Sequence, residues 1–160
     1  MKLALKTVAL LTALCLATPA FAVGETYLSV SPGHNKRLNG GDSIHSPNGW
    51  YRLIMQKDGN LVLYGPGVGI GPCPFRGHCA QWESHTLFTN SVKPDSVFVN
   101  MQEDGHLVIY RNNKSKVTPY WISGPAQPIG NYFLNVQNDG NVVIYQGNPD
   151  KAGAVIWSIH

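Results

Sequence analysis

The chain writes one nine-residue pattern three times: QKDGNLVLY at 56–64, QEDGHLVIY at 102–110 and QNDGNVVIY at 137–145. A repeat on this scale constrains the fold more than composition does. Each copy has to form the same small unit, and the units have to pack on one another. Aligned on the Gln, the copies extend to YRLIMQKDGNLVLY, VFVNMQEDGHLVIY and YFLNVQNDGNVVIY, each followed by a tryptophan: Trp82, Trp121 and Trp157. The Gln residues lie 46 and 35 positions apart, and the longer interval holds an insertion, GPGVGIGPCPFRGHC, at 65–79.

Within each copy, apolar residues alternate around an Asp-Gly step, the pattern of a hairpin with a tight turn. Leu53 and Met55 lead into the first turn and Leu61 and Leu63 lead out of it. Leu107 and Ile109, then Val142 and Ile144, repeat the second half. One hairpin face is therefore directed at a core, and the opposite face carries Gln, Asp, Asn or His, Val and Tyr. Beyond the first 22 residues no window longer than a turn or two has helical periodicity, and Gly and Pro recur throughout. The sequence predicts an all-β domain of three similar sheets around a shared core, with the tryptophans near its centre.

The first 22 residues stand apart from this domain. Two lysines in MKLALK, the uncharged run TVALLTALCLA and the small-x-small end Ala20-Phe21-Ala22 have the layout of a secretory signal peptide. The run is too short for a bilayer, which takes about 20 residues. Leu14 before Cys15 is too bulky for a lipoprotein attachment site. The expectation is a leader at 1–22 of bacterial character, cleavage near Ala22, a mature domain at 23–160, and a secreted or periplasmic location.

Cleavage removes Lys2 and Lys6 from the twelve basic residues, leaving ten against nine acidic ones, without runs of either sign. That balance gives no footprint for nucleic acid and no basic amphipathic segment for a membrane surface. Cleavage also removes Cys15. In an exported chain, Cys73 and Cys79 are expected to form a disulfide that closes a small loop. Such a loop stabilises by about 2 kcal/mol in the chain-entropy account, so it pins a local feature and not the fold. With only His78 nearby, the two thiols lack the second ligand pair of a zinc site. The histidines, His34, His45, His78, His85, His106 and His160, show no metal-ligand spacing. Neither a metal nor any other cofactor is expected.

Catalysis fits the pattern poorly. Glycoside hydrolysis needs two carboxylates about 5–10 Å apart across one bond, whereas the repeated Asp58, Asp104 and Asp139 fall on separate units. No nucleophile-elbow, zinc-protease or phosphate-loop motif occurs. A hexose, by contrast, suits the repeated face. It offers neighbouring hydroxyls, each both donor and acceptor, on a ring with a mildly apolar C–H side. Ionised Asp accepts, Asn and Gln do both, and a Tyr hydroxyl does either. Along a strand such side chains share one face at about 7 Å intervals, with Val available to the ring carbons.

The motif QxDxNxVxY resembles the sugar-binding signature of the bulb-type, mannose-binding lectins of monocots. Gln56, Asp58, Asn60, Val62 and Tyr64 match it in full, as do Gln137, Asp139, Asn141, Val143 and Tyr145. Gln102, Asp104, Val108 and Tyr110 match it in the middle copy, where His106 replaces Asn. The resemblance covers nearly all of 23–160. It implies a β-prism II fold, three four-stranded antiparallel sheets with pseudo-threefold symmetry, and one potential site per sheet. It further implies that Asp and Asn hold the axial 2-hydroxyl of mannose, Gln the 3-hydroxyl and Tyr the 4-hydroxyl. The expected partners are mannose-containing glycans or polysaccharides, with a weak single site and avidity from several sites together.

A plainer reading competes with this one. Asp-Gly is a turn signal in any hairpin, Val and Tyr are good strand residues, and Asn can bond a turn backbone. On that reading the domain is a secreted scaffold for protein interaction. It accounts poorly for a Gln two residues ahead of each Asp. At the middle copy the two readings stay even, because His106 is bulkier than Asn and lacks its paired donor and acceptor. A bacteriocin-like lectin directed at surface polysaccharide is a further alternative, although such proteins tend to carry two domains in tandem. The short SIH tail after Trp157 is a poor exchange arm, which leaves the oligomeric state open.

Overall fold

The computed structural model describes residues 26–67, 77–88 and 96–160. The expected leader and its cleavage point lie outside these residues. So does Cys73, and with it the expected Cys73–Cys79 bridge.

The described residues form twelve strands: β1 (Tyr27–Ser29), β2 (Arg37–Asn39), β3 (Ser43–His45), β4 (Arg52–Met55), β5 (Leu61–Pro66) and β6 (His78–Glu83), then β7 (Val97–Met101), β8 (Leu107–Asn112), β9 (Val117–Ile122), β10 (Tyr132–Val136), β11 (Val142–Asn148) and β12 (Lys151–Ser158). They assemble into three four-stranded antiparallel sheets, in the orders β3-β4-β5-β6, β2-β7-β8-β9 and β1-β10-β11-β12. This is the β-prism II arrangement. Each sheet is one repeat hairpin, the tryptophan strand that follows it, and one short strand from the N-terminal segment.

Register explains the core. Each sheet turns one row of four side chains inward: Ile44, Leu53, Leu63 and Trp82; Leu38, Val99, Ile109 and Trp121; Leu28, Leu134, Ile144 and Trp157. The nine aliphatic members of these rows are at most 2% exposed. Burying each contributes about 1.5–3 kcal/mol. The three indoles meet edge to face, with centroids 5.8, 5.8 and 6.1 Å apart. That geometry suits the ring quadrupole and links the three sheets directly.

The Asp-Gly turns are clamped by neighbouring segments. Gly59, Gly105 and Gly140 have φ of +94°, +77° and +88°, values that L side chains rarely adopt. Phe88, Gln127 and Tyr51 cover them so closely that an added Cβ would fall 2.0, 2.9 and 2.5 Å from the nearest atom of each. Phe88 N–H also donates to the Asp58 carbonyl, and Gln127 N–H to that of Asp104, both at 2.8 Å. At the third turn Asn48 N–H donates to Asn138 Oδ1 at 2.9 Å. The segments after β6 and β9 and the β3–β4 loop thus hold the turns that carry the candidate polar residues.

Candidate functional site

The hairpins β4–β5, β7–β8 and β10–β11 place the three candidate sets on the outer faces of three different sheets. No residue is shared between copies. Val62, Val108 and Val143 form the floors and are 2–3% exposed.

Two contacts recur in every copy. The Gln side chain reaches along the hairpin to donate to the Tyr hydroxyl: Gln56 to Tyr64 at 2.8 Å, Gln137 to Tyr145 at 2.7 Å, and Gln102 to Tyr110. One Asp oxygen accepts the backbone N–H two residues on: Asp58 from Asn60 at 3.0 Å, Asp104 from His106 at 3.2 Å and Asp139 from Asn141 at 2.9 Å. Asp therefore acts as a turn former throughout, using one of its two oxygens. Each Gln is fixed with its amide oxygen still an acceptor, and the O–H of Tyr110 and of Tyr145 is still a donor.

The copies differ in what remains for a ligand. In the first, Asn60 is buried, at 6% exposed. Its Nδ2 donates to Glu83 Oε2 at 2.6 Å, and its Oδ1 accepts from Ser84 Oγ at 3.0 Å and from Thr86 N–H at 3.4 Å. Glu83 is also 3.4 Å from His85 Nδ1. Tyr64 is only 5% exposed, packed with Val62, Ala80 and Ile54. The Asn of this copy is therefore engaged at both ends.

In the second copy it is the Asp that is engaged. His106 Nδ1 lies 3.2 Å from Asp104 Oδ2, so both carboxylate oxygens have protein partners. Nε2 of the same ring is buried without a partner. Phe98 stacks on Tyr110 with centroids 5.2 Å apart, and the Arg37 guanidinium covers Phe98 at 3.5 Å.

Neither group is engaged in this way in the third copy. Asp139 is exposed, and Asn141 Oδ1 is buried with no hydrogen-bond partner. Tyr145 rests on Phe133 with centroids 5.3 Å apart and rings inclined by 21°. A cavity of about 400 Å³ adjoins this copy, lined by Pro47, Asn135 and residues 136–139.

The determinants beyond the nine-residue motif come from neighbouring strands. Val62, Val108 and Val143 pair with Glu83, Ile122 and Ser158, the residue that follows each tryptophan. Aligning the copies through their tryptophans exposes this variation in the sequence, but only register shows that it falls beside the site. Among the described residues no group of three or more His, Cys, Asp or Glu is placed to hold a metal ion.

No protein-family model matches the chain, and no curated protein matches it by sequence. Solved structures do match. A monomeric monocot mannose-binding lectin from Gastrodia elata is 32% identical, with 85% of this chain and 96% of that one covered at a TM-score of 0.59. The mannose-specific agglutinin from snowdrop (Galanthus nivalis) bulbs, solved with methyl-α-D-mannoside, is 31% identical over 81% and 97% at 0.56. A lectin from Allium sativum is 30% identical over 78% and 96% at 0.58.

Proposed function

The chain belongs to the bulb-type, monocot mannose-binding lectin family, and from that premise we propose that it is a secreted lectin that binds mannose-type residues of glycans through the third copy of its motif. Lectins of this family are non-catalytic carbohydrate-binding proteins. The observation that carries the site assignment is the buried, unpartnered Oδ1 of Asn141 beside Asp139 and the Gln137–Tyr145 pair. A sugar hydroxyl supplies the missing donor, Asp139 accepts a second, Gln137 Oε1 a third, and Val143 meets the ring carbons. A misplaced hydroxyl leaves these groups unpaired, which is the basis for preferring an axial 2-hydroxyl over an equatorial one.

The first copy, with Asn60 held by Glu83 and Ser84, binds more weakly than the third. The second, with Asp104 held by His106, is weaker than a complete site. A handful of hydrogen bonds of about 0.5–1.5 kcal/mol each, less ordering costs, predicts a dissociation constant near millimolar for one sugar. Higher avidity then requires a branched or polymeric glycan that engages more than one sheet.

One observation favours the scaffold reading. Every Asp and every Gln of the motif already has an internal role, in the turn or on the Tyr hydroxyl. A glycan array with free mannose as competitor separates the two readings. Mannose-type signal that free mannose removes supports the lectin; a blank array from folded protein supports the scaffold.

A further inference from the structure

The hairpin β8–β9 collects charge of one sign. Arg111, Lys114 and Lys116 fall within six residues of it, three of the ten basic side chains of 23–160. No Asp or Glu lies on β8, on β9 or between them. The equivalent turn between β11 and β12 holds Asp150 beside Lys151, one charge of each sign, and Asn148 Oδ1 accepts from the Lys151 N–H at 2.9 Å. The near-neutral balance of the whole domain therefore hides one local excess of positive charge.

The tip of this hairpin has an uncommon backbone. Lys114 has a φ of +54°, and among the described residues His85 is the one other non-glycine residue at positive φ. Asn113 N–H donates to the Lys116 carbonyl at 3.0 Å, and Ser115 donates to the Asn113 carbonyl through both its N–H and its hydroxyl, the latter at 3.2 Å. These bonds hold a tight turn in which residues 112–117 are all exposed. At its base the Arg111 guanidinium lies 5.0 Å from the centre of the Phe88 ring, with Nε buried and without a hydrogen-bond partner. Gly or Asn is the ordinary occupant of a left-handed position, which strains other side chains. Here that position carries a cation.

We propose that this tip is a contact surface for an anionic polysaccharide, a hydroxyl-rich chain bearing carboxylate or phosphate groups. The surface is separate from the motif residues and does not rest on the reading of the third copy as a sugar site. Asn112, Asn113 and Ser115, interleaved with the cations, offer amide and hydroxyl groups to sugar hydroxyls. Segments that lie on a bilayer bury apolar side chains in it, and 112–116 has none. Tight binding to duplex nucleic acid takes about 6–10 phosphate contacts, more than these three cations supply. Each exposed contact is weak and screened by salt. The hold therefore comes from charges repeated along one polymer, which rebind as each contact opens.

Surface plasmon resonance of the purified protein over carboxymethyl-dextran and over unmodified dextran tests this, with excess methyl α-mannoside present to occupy the motif sites. The expected result is binding to the carboxymethylated polymer alone, falling as NaCl rises from about 50 to about 300 mM. Lys114→Glu with Lys116→Glu weakens it about ten-fold or more, whereas Lys114→Arg with Lys116→Arg retains it. Lys114→Gly relieves the backbone and still weakens binding, which separates the charge from the turn. Methyl α-mannoside titrated into the same variants without the polymer gives the parent's response, so the two sites are read independently. No binding to carboxymethyl-dextran, equal binding to both dextrans, or binding that survives the double charge reversal overturns the proposal. So does a Lys114→Gly variant that binds like the parent. Retention on anionic phospholipid vesicles or duplex DNA, with none on carboxymethyl-dextran, overturns the assignment to polysaccharide.

Discussion

Asn60, just ahead of β5, donates to Glu83 of β6 at 2.6 Å, one of the contacts that set the first copy apart from the third although the two match in motif. The corresponding position beside the third copy holds Ser158, whose side chain bonds elsewhere, to the His160 carbonyl. The expected outcome of Glu83→Ser is a first copy with its amide nitrogen released. Affinity of that site for methyl α-mannoside rises about ten-fold, equivalent to roughly 1.4 kcal/mol. Two-dimensional NMR of the Asn60 amide during titration reads it directly. An unchanged response in the variant means that Glu83 does not limit the site.

The turn glycines give a second prediction, on stability. Gly140 combines a φ of +88° with Tyr51 packed against it, whereas Gly49, at +72°, has nothing within 4 Å of an added Cβ. Gly49→Ala carries only the left-handed strain of about 1–2 kcal/mol. Gly140→Ala carries that strain and also displaces Tyr51, so it destabilises further, by about 1–3 kcal/mol more. Chemical denaturation of the two variants side by side measures the difference. Equal losses would show that the Tyr51 clamp yields at no cost.

Acidification supplies a third. Burial first, and the nearby Arg52 second, push the His45 imidazole below its ordinary pKa of 6.5. The unfolded chain then takes up this proton at a higher pH than the folded one does. Stability from His45 is present above about pH 6.5 and is lost as pH falls through the window between that value and the lower folded-state pKa. Thermal unfolding of His45→Asn is expected to show a smaller drop between about pH 7 and pH 5 than the parent protein. The same slope in both proteins would assign the acid sensitivity to other groups.

Much of the fold was legible because it is written in local periodicity. Alternation about each Asp-Gly step gave the three hairpins, and the tryptophan after each copy marked the next strand. Strands β1, β2 and β3 were not legible. They are three residues long, and each commits one aliphatic side chain, Leu28, Leu38 or Ile44, to the core. One buried residue has no period. The candidate site divides in the same way. Its residues along β5, β8 and β11 follow from the repeat. Glu83, which holds Asn60 in the first copy, and Asn135, which lies opposite Val143 of the third, are on adjacent strands and reach the site only through register.

The claim that the third copy is the working sugar site is tested most directly by titrating methyl α-mannoside into the purified protein and into Asn141→Ala. The backbone N–H of Asn141 holds the turn, while its Oδ1 makes no internal hydrogen bond. The substitution therefore leaves the hairpin intact and removes only a ligand contact. A dissociation constant near millimolar in the parent, weakened about ten-fold or more in the variant, is the predicted result. Binding that Asn141→Ala leaves unchanged, or no binding by the parent, would contradict it.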